Sequence, residues 1–116
     1  MKKYLLSKDG QFYKANLHCH STVSDGSLTP EELKALYLSM GYSVIAFTDH
    51  DVLIPHPELK DEHFLPLNGF EVEITKEGED WGHTRTCHIC MIGLDPENTV
   101  QPMWNPKYLF GNAPQY

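Results

Sequence analysis

No run of about 18 apolar residues occurs anywhere in the chain, so no segment has the length of a membrane-spanning helix. Residues 1–6 pass at once into Ser7, Lys8, Asp9 and Gly10, which excludes the apolar core of a signal peptide; a cytoplasmic protein with no membrane partner is expected. Cations are also scarce. Nine Lys and Arg stand against 16 Asp and Glu, a net charge of -7, and this argues against long nucleic acid as a partner, since phosphate-backbone affinity rests on Lys and Arg. The three cysteines, Cys19, Cys87 and Cys90, are an odd number set within apolar runs. Reduced thiols acting as small buried hydrophobes fit that pattern better than a disulfide framework. At 116 residues the chain falls short of the roughly 250 of a complete α/β barrel. There is no internal repeat and no low-complexity tract. What the sequence has in quantity is histidine: seven residues in an acidic chain, a composition that suits cation binding.

The order of elements follows from local chemistry. Asp9-Gly10 between two short apolar stretches, residues 4–6 and 11–13, predicts an opening hairpin. Thr29-Pro30-Glu31-Glu32 combines a hydroxyl cap, a proline at the first helical position and acids in the first turn. A helix therefore starts there, with Leu33, Leu36, Tyr37 and Met40 as its apolar stripe and Gly41 as a left-handed cap. Residues 42–48 read as a strand without alternation, as expected where both faces of a parallel sheet are covered. Strand, loop, helix and strand make a βαβ unit, whose right-handed crossover would bring His18 and His50 to the same C-terminal edge. Residues 55–62 are polar and broken by proline. Residues 64–74 predict a third strand kinked at Gly69, and residues 85–94 a fourth, joined by a hairpin or by a loop over the site. Residues 1–94 form the metal-binding part, and residues 95–116, with scattered prolines and no periodicity, form an irregular extension of the same domain.

His18-Cys19-His20 is the sharpest motif, because residues i and i+2 on a strand point the same way and two imidazoles can grip one metal. Ser24-Asp25-Gly26 follows in a loop, where a carboxylate can reach back over the strand edge. Thr48-Asp49-His50-Asp51 closes the second strand with one imidazole and two carboxylates. Gly69-Phe70-Glu71 offers a carboxylate able to bridge two cations, and Cys87-His88-Ile89 adds another strand histidine. His18, His20, His50, Glu71 and His88 are thus expected on one edge of a parallel sheet. Cys87 and Cys90, three apart on a strand, would point to opposite faces, which argues against a zinc knuckle. Asp61-Glu62-His63, His56, Lys34 and Lys60 read as solvated surface.

In order, H-x-H, S-D-G, T-D-H-D, G-x-E and a late H-I resemble the polymerase and histidinol phosphatase (PHP) domain family over residues 14–94. The Leu-Thr-Pro-Glu-Glu-Leu helix start and the Gly-Tyr before the second strand are similar too. The resemblance implies an α/β fold, the N-terminal part of a distorted (βα)7 barrel. It implies two or three divalent transition metal ions, zinc, manganese or iron, that serve hydrolysis of phosphate esters by metal-activated water. His18, His20 and Glu71 would hold one ion, Glu71 would bridge to a second that also takes His88, and Asp25 with His50 would hold the third. Asp49 would orient an imidazole, while His83 and Arg85 would stabilise phosphate or protonate a leaving group.

The family also has a further histidine after the fourth-strand one and a late D-x-H pair, and neither follows His88. A fragment is therefore expected, completed by strands of a longer chain or by self-association, acting on a small phosphorylated substrate. Two other classes compete. Amidohydrolases share the H-x-H but lack the S-D-G and T-D-H-D companions, and an inactive metal-binding fragment or interaction module would need no further ligands.

Overall fold

The computed structural model describes residues 9–75 and 86–101. Six elements follow one another: β1 (Ala15–Cys19), α1 (Pro30–Ser39), β2 (Val44–Phe47), a short 3-10 turn at Pro57–Leu59, β3 (Leu65–Thr75) and β4 (Thr86–Ile92). The sheet order is β1-β2-β3-β4. The fold is α/β, and β1, β2 and β3 run parallel while β4 is antiparallel to β3. The expected all-parallel sheet is therefore a mixed one. The connection between the third and fourth strands, expected as a hairpin or a loop over the site, lies outside the described residues. The predicted opening hairpin has one arm outside the described residues, and residues 11–13 belong to no strand.

The α1 start is as the sequence predicts. Thr29 caps it, its side chain accepting from Glu32 N while Glu32 Oε2 accepts from Thr29 N at 2.8 Å, a reciprocal box worth about 1 kcal/mol. Gly41, at φ +77°, ends the helix in the left-handed region that a side chain would resist. The buried stripe differs from the expected one. Pro30 and Leu33 are buried and Tyr37 and Leu38 pack on the core, whereas Leu36 and Met40 face solvent. Lys34 lies beside that stripe and ties the helix to the following loop, bonding the Leu59 carbonyl at 2.7 Å and Asp61 Oδ2 at 2.5 Å. The solvated reading of Lys34, which is half-buried, is thus corrected, while Asp61 is exposed as expected. His56 is corrected as well: its side chain is only 9% exposed, with the ring edge-on to Phe47 and Nδ1 beside Glu58. His63 is exposed, as expected.

The core gathers Cys19, Leu33, Ile45, Phe47, Leu59 and Phe64. Ile45 and Phe47 are almost wholly buried, which stabilises the fold by about 1.5–3 kcal/mol each and fixes β2 at the centre. Cys19 is buried, but Cys87 and Cys90 are exposed, against expectation. Of the extension, residues 95–101 are described; Gln101 is buried there and its amide bonds both Leu53 N and Leu53 O.

The Lys34 link predicts a pH-dependent effect. The bond from Lys34 holds the Asp61 carboxyl below its usual range, so the stabilisation is present above the ordinary carboxylate pKa and is lost as pH falls through the depressed one. Lys34→Met should therefore lower the melting temperature at neutral pH and lower it less in acid, where only the Leu59 bond remains to lose. Melts of both proteins at the two pH values check this; an equal deficit at both would assign the whole effect to the carbonyl.

Candidate metal centre

Strand register brings the candidate metal ligands together at the C-terminal ends of β1 and β2. In β1 the ladder to β2 is irregular between Asn16 and Cys19. Asn16 spans that irregularity, its Nδ2 donating to the His18 carbonyl at 3.0 Å and its Oδ1 accepting from His18 N at 3.3 Å, and Tyr37 lies 2.7 Å from the same amide. Past the strand, Thr48 continues the pairing, with its hydroxyl accepting from Cys19 N and its own N–H donating to Cys19 O. The chain then turns through Asp51, which sits at φ 57°, a region costly for any residue but glycine. The turn sets His50 opposite Glu71 and lets Asp51 N donate to the Glu71 carbonyl at 2.9 Å.

β3 changes partner at Gly69. Residues 65–68 pair with β2 and residues 69–75 with β4, in a register that sets Glu71 opposite Cys90 and Glu73 opposite His88. Successive side chains alternate across a sheet, so Glu71, Glu73, His88 and Cys90 share one face. The other face carries Ile74, Ile89 and Met91, all exposed.

Glu71 is the centre of the site. It is 4% exposed, and each of its carboxylate oxygens has its own company. Around Oε1 lie His18 Nε2 at 3.4 Å, His88 Nδ1 at 3.5 Å and the Cys90 thiol at 3.7 Å. Around Oε2 lie His20 Nε2 at 2.9 Å and His50 Nδ1 at 3.4 Å. Asp25 closes the outer side, its Oδ1 2.7 Å from His20 Nδ1 and its Oδ2 3.7 Å from His50 Nε2. Burial alone would push the Glu71 carboxyl up, but His18, His50, His20 and His88 together outweigh it and hold it below the usual range. Asp25 is also held low, chiefly by the hydrogen bond with His20. Burial and then the Glu71 carboxylate push the Cys90 thiol up.

This donor set fits a metal. A buried carboxylate is costly unless cationic partners compensate it, and the ones on hand are imidazoles whose ring nitrogens approach each other as well: His18 Nε2 and His20 Nε2 are 3.1 Å apart. Ring nitrogens that converge on one carboxylate in this way can be directed at a common point, the arrangement that divalent transition metals take. Among the described residues, His18, Glu71 and Cys90 form one group able to hold an ion, and His20, His50 and Glu71 another.

All six residues read as ligands from the sequence, His18, His20, Asp25, His50, Glu71 and His88, meet here. Asp49 does something other than orient an imidazole. Its buried carboxylate accepts from Ser21 N at 2.8 Å, Ser21 Oγ at 2.9 Å, Ser24 N at 3.2 Å and Ser24 Oγ at 2.7 Å, holding the loop that carries Asp25. The carboxylate bonded to an imidazole nitrogen on that side is Asp25. Gly26 permits the same loop to fold back: a Cβ there would lie 2.3 Å from the His20 carbonyl oxygen. His83 and Arg85 lie outside the described residues. Sequence reasoning missed Cys90, Glu73, whose carboxylate is 3.3 Å from His88 Nε2, and the structural use of Asn16, Ser21 and Ser24. The H-x-C spacing of His88 and Cys90 was the available signal for the first.

The sequence profile of the PHP domain matches residues 16–103. The chain belongs to the PHP domain family. Among curated PHP relatives, a 5'-3' exoribonuclease of Haemophilus influenzae is 36% identical over 94 residues, which cover 78% of this chain and 31% of the relative. A 3',5'-nucleoside bisphosphate phosphatase of Chromobacterium violaceum is 36% identical over 85 residues, 70% of this chain and 28% of the relative. The 5'-3' exoribonuclease Rnm of Salmonella typhimurium is 43% identical over 86 residues, 69% and 27% of the two. This PHP chain thus spans about a third or less of the length of the curated relatives it matches. Their names support a phosphoesterase-type function in general. None of the described helices is long and apolar enough to cross a membrane.

Proposed function

We propose that this PHP chain hydrolyses a phosphate ester on a small nucleotide-like substrate, with Glu71 and the histidines around it as the residues that would hold the metal ions. The observation that carries the proposal is the division of donors between the two Glu71 oxygens: His18 and His88 by Oε1, His20 and His50 by Oε2. Metal ions held there would supply an activated water and a clamp for the phosphoryl oxygens at neutral pH. The protein's own part is positional. Asp25 fixes the His20 ring through Nδ1, so that Nε2 stays directed at the centre, and its second oxygen, with His50, offers a place for a third ion. His83 and Arg85 are assigned to phosphate binding and leaving-group protonation. The four-stranded sheet is read as one arc of the distorted (βα)7 barrel, its remaining strands supplied by a longer chain or by self-association. The net charge of -7 supports a small substrate over a long polymer, and the bisphosphate phosphatase name supports a nucleotide class.

The test is turnover of a generic aryl phosphate and of a nucleoside bisphosphate, with zinc or manganese added. It is run on this chain and on any longer natural version of it. Metal-dependent turnover of the bisphosphate, faster in the longer version, is expected. Stoichiometric metal without turnover of either compound in either protein would instead support a metal-binding module that performs no hydrolysis.

A further inference from the structure

We infer that Cys90 is a thiolate ligand of the metal centre, on the Oε1 side of Glu71 with His18. The inference rests on the metal-site reading above and adds to it a soft donor and hence a metal preference. Three observations carry it. The β3–β4 register places Cys90 directly opposite Glu71, in a ladder that continues through Glu73 and His88 without a break. A single residue, Ile89, separates Cys90 from His88, so strand alternation sends its side chain to the face that already carries His88 and Glu71 rather than to the face of Cys87. The thiol reaches Glu71 Oε1 at 3.7 Å, and one ligand atom each from His18, Glu71 and Cys90 lies within 4.8 Å of the other two.

A neutral thiol donating to a carboxylate is a weak interaction, and an apolar residue would fill a strand position as well. The position gains a purpose when a cation lies between the two groups, because a coordinating thiol gives up its proton outright and the S–H···O contact becomes two bonds to one ion. An imidazole, a carboxylate and a thiolate make a donor set that favours zinc, cobalt or ferrous iron over manganese, which prefers oxygen ligands. The C-x-x-C spacing of Cys87 and Cys90 is incidental to this. Cys87 stands on the opposite face, and Cys19 is buried in the core.

Cobalt(II) titration of the protein, followed by optical spectroscopy, reads the thiolate directly. A sulfur-to-cobalt charge-transfer band in the near ultraviolet is expected, along with the visible ligand-field bands of a low-symmetry site. Cys90→Ser should lose the charge-transfer band while still binding cobalt, and Cys87→Ser should keep it. In competition, Cys90→Ser should weaken zinc by at least about tenfold, the lower end of the effect of residues that only support metal ligands, and leave manganese almost unchanged. Ligand-field bands without a charge-transfer band in the unsubstituted protein would overturn the inference and leave the metal site standing. So would a band that survives in Cys90→Ser. Failure to bind cobalt or zinc at all would overturn both.

Discussion

Replacing Glu71 by Gln should strip the protein of its metal and leave it folded. The substitution keeps the size and shape of the side chain, and the β3 ladders to β2 and β4 are made by backbone, so the sheet has no reason to change. Stability should move by no more than about 1–2 kcal/mol. What disappears is, among the described residues, the only carboxylate that faces both donor groups. Four imidazoles, two from the end of β1, one from the turn after β2 and one from β4, are directed at it, and each of its oxygens belongs to a different set. An amide offers one neutral acceptor and turns an NH2 toward ring nitrogens that need a cation. Metal should therefore be lost from both groups of donors, with affinity down by more than about 100-fold, beyond what outer residues of metal sites typically cost. His20→Ala, which removes a donor from the Oε2 side alone, should reduce stoichiometry by less, and His63→Ala, an exposed residue next to Glu62, should change nothing. Elemental analysis after gel filtration measures all three. Full metal content in Glu71→Gln would show that the carboxylate does not bridge.

Much of the site was legible in the sequence because His18, His20, Asp25 and His50 sit at the end of a strand or in a loop marked by a clear local signal. His18 and His20 advertise themselves by period two, and the βαβ unit between them and His50 is announced by the Thr29 cap, Pro30 and Gly41. Two things escaped for a physical reason each. The direction of β4 depends on the connection at residues 76–85, and an apolar strand carries no mark of whether its neighbour runs parallel or antiparallel. That direction decides whether Cys90 or some other residue faces Glu71. The helix stripe was misread because Leu33, Leu36, Tyr37 and Met40 and the observed Pro30, Leu33, Tyr37 set share the same spacing, rotated slightly around the axis. Only packing against Phe64 and Leu59 chooses between them. The role of Asp49 was lost in the motif itself: in T-D-H-D the residue next to a histidine suggests service to that histidine, yet adjacent strand residues point to opposite sides.

Asp49→Ala should be the most destabilising single change at the site, and it separates two roles for this residue. The carboxylate is 3% exposed and gathers four donors from Ser21 and Ser24. Truncation leaves the buried Ser21 N–H and hydroxyl without their acceptor and Ser24 N–H with the Ser21 carbonyl alone, and hydrogen bonds to a charged group are the stronger kind. A loss of about 3–5 kcal/mol is expected, a large share of the 5–15 kcal/mol that a domain of this size commands. Metal should weaken as a consequence, because the loop from Ser21 to Gly26 delivers Asp25 to His20 and packs its glycine against the His20 carbonyl. The order of the two effects is what matters. Urea unfolding of the metal-free protein should already show most of the stability loss, and Ser21→Ala together with Ser24→Ala should reproduce a good part of it. If Asp49 instead worked through an imidazole, metal-free stability would be unchanged and the whole effect would fall on metal affinity. That result would return Asp49 to the role its place beside His50 implies and leave the Ser21 and Ser24 contacts as bystanders.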